Sequence, residues 1–385
     1  RRNLPQYLPA WRRTLPLPPS YETRMIRPSL LLFCCALAGC AARPDARTIW
    51  PVAASAPHGK TEQIFVATTR NTAQLPADGF TSLRSPQPHF AEFTVSIPPN
   101  HVSGEIEWPK GQTNPKTDFA VASHTRLDEE AFIHRVNAAS ENGTGVFVHG
   151  YNYNFPEALF RTAQMAADAQ ISEAPVLFSW PSSASLLGYA SDRESVTYSR
   201  DALAELLTRL ADTSGGKPVT VFGHSMGGWL VMETLRQMRI AGKDEALSHL
   251  EVVLAAPDID VDVFRQQLTV IGRMEIPMVI MVSPDDRALG LSALAGQRTR
   301  VGALDITDPA VQVAAQQNNV VLIDISAVDA SSRLNHDRYI QLASAFPTLG
   351  REMRQGSTFT EAGAFVLSST GQILSAPLRD RKSVV

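Results

Sequence analysis

Ser225 stands in Gly223-His224-Ser225-Met226-Gly227, a G-x-S-x-G signature. A serine hydroxyl is a poor nucleophile until a base takes its proton, and the base needs a carboxylate to hold its tautomer and stabilise the imidazolium. Downstream of Ser225 the chain offers two histidines, His249 and His336. Three aspartates in that region follow apolar runs: Asp258 in Ala256-Pro257-Asp258, and Asp285 and Asp286 in Ser283-Pro284-Asp285-Asp286-Arg287. These residue types are the ones needed for acyl transfer through a covalent serine intermediate.

The elements that must position them follow from the apolar pattern. The β-rich run Val219 to Phe222 precedes the serine, and the segment from Trp229 to Ile240 reads as a helix. Glycines on both sides of Ser225 let the backbone turn more tightly than a side chain would allow, which exposes the hydroxyl at the top of a sheet. Further continuous apolar runs, Val146 to Val148, Val176 to Trp180, Val252 to Ala255, Met278 to Val282 and Val320 to Ile325, predict strands buried on both faces of a parallel sheet. Ile64 to Thr69 and Phe90 to Ile97 alternate, which predicts antiparallel strands at its start. Phe155, Leu159, Phe160, Ala163 and Ala167 make one apolar helical face, and Val196, Leu203, Leu206, Leu207 and Leu210 another. The fold class is α/β. Ligands of such sheets bind beyond the carboxyl ends of the strands. His249 precedes a strand and is set aside, whereas His336 follows the last run, in Asn335-His336-Asp337-Arg338-Tyr339.

After the first parallel strand comes His149-Gly150-Tyr151-Asn152-Tyr153-Asn154-Phe155. With this HGYN and the GHSMGG of the serine turn, the chain resembles the α/β-hydrolases, and more closely a bacterial branch of lipase-like or esterase-like serine hydrolases. The resemblance runs over roughly residues 62–346 and is specific for the superfamily, not for a substrate. It implies an α/β-hydrolase fold, a mostly parallel central sheet with helices on both faces. It also implies an oxyanion hole made by the backbone N–H groups of Tyr151 and Met226, and the chain order nucleophile Ser225, acid, base His336. The family's acid directly precedes the Arg-Ala-Leu that opens the next helix, which here is Asp286; the residues alone leave Asp285 and Asp258 open as well. HGYN also reads as a turn and helix cap, with Asn154 and Glu157 opening the next helix, and that cap would fix where the Tyr151 amide points. His149 and His224 read as structural. Many relatives insert a cap domain after the strand that follows the nucleophile helix, but residues 256–277 have room for one helix, around 261–271, and no large cap. Ser182 to Ser191, with Leu186, Leu187 and Tyr189, is the stretch expected to line the acyl side.

The resemblance thus implies a small-molecule ester as substrate. A thioesterase, amidase or phospholipase would share the same triad, and a lipid-anchored binding or scaffold protein could keep the fold without turnover. The chain has 385 residues, 44% hydrophobic and 19% charged, with a formal net charge of -3. That balance, with no basic cluster after the first 30 residues, points away from nucleic acid. The chain contains neither HExxH nor CxxC, so no metal is inferred, and no cofactor.

The three cysteines, Cys34, Cys35 and Cys40, fall in one N-terminal stretch, so the body must be held by packing. Residues 1–24 read as sequence upstream of a start at Met25. Residues 25–39 read as a lipoprotein signal peptide, with Arg27 before the apolar run Leu30 to Ala38, too short to span a bilayer. Leu37-Ala38-Gly39-Cys40 resembles a bacterial lipobox, which implies lipid on Cys40, a membrane contact through that lipid, and the bacterial cell envelope, on the periplasmic face, as location. Residues 40–61 read as a tether, 62–350 as the hydrolase domain and 351–385 as a tail of unassigned role, in which a hairpin around Ser368-Ser369-Thr370-Gly371 is expected.

Overall fold

A computed structural model of the chain describes residues 43–52, 59–75, 77, 79–170, 173–296, 298–330, 332–345, 364–367 and 373–375. The signal segment 25–39 and Cys40 lie outside the described residues. Every element below belongs to one compact unit, Pro44–Val385. Its strands are β1 (Thr61–Thr72), β2 (Phe80–Ser96), β3 (Ala120–Leu127), β4 (Thr144–Val148), β5 (Ala174–Ser179), β6 (Val219–His224), β7 (Leu250–Ala255), β8 (Met278–Val282), β9 (Val320–Asp324), β10 (Ala364–Leu367) and β11 (Ile373–Ser375). They form one 11-stranded sheet in the order β11-β10-β9-β8-β7-β6-β4-β5-β1-β2-β3. From β1 to β10 every neighbouring pair is parallel, and an antiparallel partner closes each edge: β2 with β3 beyond β1, and β11 beyond β10. The strand Ile64 to Thr69 therefore pairs in both senses, antiparallel to β2 and parallel to β5. The expected tail hairpin is present as β10 and β11, and β10 adds to β9, so the sheet continues past residue 350.

The helices are α1 (Glu129–Ala139), α2 (Phe155–Ala169), α3 (Tyr189–Thr213), α4 (Met226–Ile240), α5 (Asp244–Ser248), α6 (Val261–Ile271), α7 (Arg287–Gly296) and α8 (Pro309–Gln317). Continuous apolar strands imply cover on both faces, and alternate residues feed two separate cores. Val146, Val148, Val219, Val221, Val252, Leu254, Ile280 and Val282 pack on one face with Leu203, Leu207, Leu230, Leu235 and Phe264 of α3, α4 and α6. Phe147, Phe222, Ala255, Val279, Met281 and Ile323 pack on the other with Phe155, Leu159, Phe160 and Ala163 of α2 and with Tyr339. Each large buried side chain contributes on the order of 1.5–3 kcal/mol, so a body without cysteine is held by these two layers. Between β7 and β8 lies the single helix α6, with no inserted cap. Among the described residues no helix is long and apolar enough to cross a membrane.

Candidate active site

At the end of β6 the backbone turns at Ser225 with φ 54° and ψ -120°, a conformation that costs a non-glycine residue strain and persists only where its surroundings enforce it. Three backbone bonds enforce it. Ser225 N–H donates to Ala255 O at the end of β7 (2.9 Å), and Ser225 O accepts from Gly228 N–H (3.0 Å) and Asp258 N–H (3.1 Å). The flanking glycines are needed for closeness: a Cβ on Gly227 would lie 2.3 Å from Val148 O, and one on Gly223 would lie 2.8 Å from Gly228 Cα. α4 begins at Met226, directly after the serine and three residues before the predicted start, and the Ser225 side chain makes no capping bond to it. The hydroxyl is therefore not consumed by the helix. Met226, at the first helical position, has an N–H with no intrahelical partner at the positive end of the helix dipole.

The turn after β4 abuts this elbow. A Cβ on Gly150 would come within 2.8 Å of His224 Nδ1 and 3.1 Å of Ser225 Cβ. Asn154 and Glu157 form the expected capping box at the start of α2, Asn154 Oδ1 accepting from Glu157 N–H and Glu157 Oε2 from Asn154 N–H, each at 2.9 Å. Tyr151 is thereby carried next to the serine on a turn that the cap fixes.

His336 Nδ1 lies 2.6 Å from Asp286 Oδ2. The Asp286 side chain is fully buried and its other oxygen accepts from Leu289 N–H (2.9 Å) in the first turn of α7. A carboxylate oxygen can only accept, so a proton on Nδ1 leaves Nε2 as the basic nitrogen of the ring. The His336 loop is pinned on both sides. Arg287 N–H donates to Leu334 O (2.9 Å), and Asn335, at φ 59°, donates from Nδ2 to Asp285 Oδ2 (3.1 Å). Toward the elbow, His224 Nε2 lies 3.3 Å from His336 O, and the two imidazole centroids are 4.8 Å apart. The structure thus gathers Ser225, the Tyr151 turn, His336 and Asp286 at one place, beyond the carboxyl ends of β4, β6, β8 and β9, and leaves His249 at the opposite end of β7.

The family model for alpha/beta hydrolases of unknown function (DUF900) matches residues 125–352, more than half of the chain and all of the strands that carry these side chains. The chain belongs to this family. A 61-residue stretch is 39% identical to the uncharacterized protein alr1448 of Nostoc, a match that spans 16% of this chain and 16% of that relative. Two solved structures show likeness at low similarity. A putative hydrolase from Agrobacterium vitis S4 is 13% identical with a TM-score of 0.33, over 69% of this chain and 95% of that one. Carboxyl esterase 2 of the mycorrhizal fungus Tuber melanosporum is 10% identical with a TM-score of 0.30, over 89% and 87%.

In this alpha/beta hydrolase the other two aspartates are occupied elsewhere. Asp285 is exposed. It accepts from both terminal nitrogens of Arg338 and from Ser283 Oγ, and the bonds from Arg338 hold its carboxyl well below the usual carboxylate range. The helix cap is made by Asp286. Asp258 is buried among Tyr189 Oη (2.7 Å), Ser292 Oγ (2.6 Å) and Arg300 Nε (3.2 Å), tying the start of α3 to α7. Burial and then the Asp258 charge push the Tyr189 hydroxyl up to about 12. His149 and His224 are both buried. Burial first, and then the Arg70 guanidinium, brings His149 down to about 3; burial, followed by His336, lowers His224 well below its ordinary value. Both stay neutral near pH 7, so neither places a second positive charge beside an imidazolium forming at His336. Leu186 and Leu187 do not pack over a site: they are 77% and 96% exposed, in the loop that Tyr151 Oη holds through Ser185 O (2.9 Å).

Sequence reasoning missed Arg70, Asp192 and the role of Arg338, and it placed Tyr189 on the acyl side, whereas its hydroxyl is bound to Asp258 and Ser292. Arg70 carried only a weak signal, a charge following the apolar run Ile64 to Ala67; Arg338 carried one in being next but one to His336.

Proposed function

We propose that this hydrolase is a serine carboxylester hydrolase working through an acyl-enzyme. The observation that carries this reading is the 2.6 Å contact of His336 with buried Asp286, beside an elbow whose serine hydroxyl is not engaged in helix capping. His336 Nε2 takes the Ser225 proton as Oγ attacks the ester carbonyl, and Asp286 stabilises the imidazolium that forms. The N–H groups of Met226 and Tyr151 hold the oxyanion; losing one such donor typically costs about 10²–10³ in rate. His336 then protonates the leaving alkoxide as the carbon–oxygen bond to it breaks. Water, deprotonated by the same imidazole, cleaves the acyl-serine bond and returns the proton to Oγ. The test is turnover of p-nitrophenyl butyrate by Ser225→Ala: loss of activity with unchanged circular dichroism is expected, and residual turnover near wild type would remove the assignment.

The reading extends to location. Lipid on Cys40 would hold the catalytic body at the envelope membrane, on the periplasmic face, since more than one acyl chain gives stable anchoring. Mass spectrometry of the mature N-terminus is expected to find acylated Cys40, and an unmodified start elsewhere would count against it.

A further inference from the structure

Arg70 is 1% exposed near the end of β1, where a buried guanidinium is costly unless its donors are met. Its Nε donates to Ser179 Oγ (2.8 Å), Nη1 to Thr81 O (3.3 Å) and Ser182 O (3.4 Å), and Nη2 to Tyr153 O (3.0 Å). All these acceptors are neutral. Two carboxylates, Asp192 first and Glu157 second, act on its charge through space, and burial still brings it down to about 9. Asp192, fully buried at the start of α3, faces it across the same loops. It accepts from Ser182 Oγ (2.6 Å), Ser183 N–H (2.7 Å) and Asn152 N–H (3.5 Å).

The two charges therefore grip the same two segments. Ser182 gives its carbonyl to Arg70 and its hydroxyl to Asp192. In the turn after β4, Asn152 N–H points to Asp192 while Tyr153 O accepts from Arg70. Between the grips the backbone is held in a strained state, Asn152 at φ 63°. The amide one peptide before Asn152 is that of Tyr151.

We propose that Arg70 and Asp192 are positioning residues that set the Tyr151 amide for the oxyanion, with Ser182 as the bridge between them. This rests on the serine-hydrolase reading above. A donor must already lie where the charge develops, and small displacements cost rate more than binding. Lysine keeps the charge of Arg70 but cannot fork to Tyr153, Ser182 and Ser179 together.

The test compares wild type, Arg70→Lys, Asp192→Asn, Ser182→Ala and Ser225→Ala on p-nitrophenyl butyrate, with inhibition by an aryl trifluoromethyl ketone, whose hemiketal oxygen occupies the oxyanion site. Arg70→Lys and Asp192→Asn are expected to lower kcat about 10–100-fold with KM changed less than about threefold. Their loss of affinity for the ketone should match the loss in kcat/KM. A merely structural role would lower the melting temperature and the amount of active enzyme, but would leave kcat per labelled serine and ketone affinity unchanged. Ser182→Ala buries no unpaired charge, so it decides the matter if the charge variants do not fold; a kcat reduced about 3–10-fold is expected. Wild-type kcat and ketone affinity in the folded variants, with Ser225→Ala inactive, would overturn the inference alone. Activity in Ser225→Ala would overturn both it and the reading it rests on.

Discussion

Among the three aspartates beyond the serine, chemistry is decided by what each one touches. Asp286 reaches His336, Asp285 is taken by Arg338, and Asp258 is taken by Tyr189, Ser292 and Arg300. Asp286→Asn should therefore lower kcat by up to about 10⁴, as in triads that lose the correct tautomer. Asp258→Asn weakens a buried cluster instead, with an expected loss of about 1–3 kcal/mol in unfolding free energy and kcat within about threefold of wild type. Kinetics and chemical denaturation run on both variants check this: a silent Asp258→Asn beside an active Asp286→Asn would reverse the assignment. Ser225 and His336 stand out in local sequence because each sits in a short motif beyond a strand end, whereas Tyr151, Met226 and the choice of Asp286 among three aspartates came from the family resemblance. Arg70 and Asp192 do not stand out, since no local pattern encodes loops gripped by a strand residue and a helix residue.

The elements divide along the same line. Continuous apolar runs located β4 to β9, and the spacing between β7 and β8 placed α6 at Val261–Ile271, where it is found. β3 escaped notice because its outward residues are exposed on an edge strand, leaving only a weak apolar pattern from Ala120 to Leu127. The loop that precedes it is locked to α2 by a charge cluster that was also invisible in sequence. His101 lies 2.9 Å from both Glu107 and Asp168, and Gly104 N–H donates to Asp168 (2.7 Å). Hydrogen bonding to Asp168, and then to Glu107 against the cost of burial, raises His101 above its ordinary 6.5. Burial pushes Asp168 up, but bonds from His101, Gly104 and Gln164 outweigh it and leave it below 3.8. A raised histidine contributes stability that is complete below 6.5 and is lost as pH rises through its folded value; a lowered carboxylate contributes stability that is lost as pH falls through its own. The clamp is thus strongest between about pH 4 and 6.5. His101→Gln should lower the melting temperature at pH 5.5 more than at pH 9, and an equal loss at both would contradict it.

At the scale of the whole molecule, the sheet presents one reactive edge with nothing inserted over it between β7 and β8 except α6. Leu186 and Leu187, expected to line an acyl pocket, stand in solvent. Among the described residues, neither α6 nor the exposed Leu186 and Leu187 encloses an acyl chain longer than a few carbons, and burial contributes only about 25 cal/mol per Å² removed from water. Butyrate esters should therefore be cleaved with higher kcat/KM than palmitate esters, and the reverse order would show a chain-binding surface. The family to which the chain belongs fixes hydrolase architecture and leaves the reaction to the site. The most direct measurement on that site is peptide mapping after reaction with a fluorophosphonate. One adduct is expected, on Ser225, at a stoichiometry matching the loss of esterase activity, and no adduct when Ser225→Ala is treated alike. An adduct on another residue that accounts for the lost activity, or full activity after complete labelling of Ser225, would contradict it.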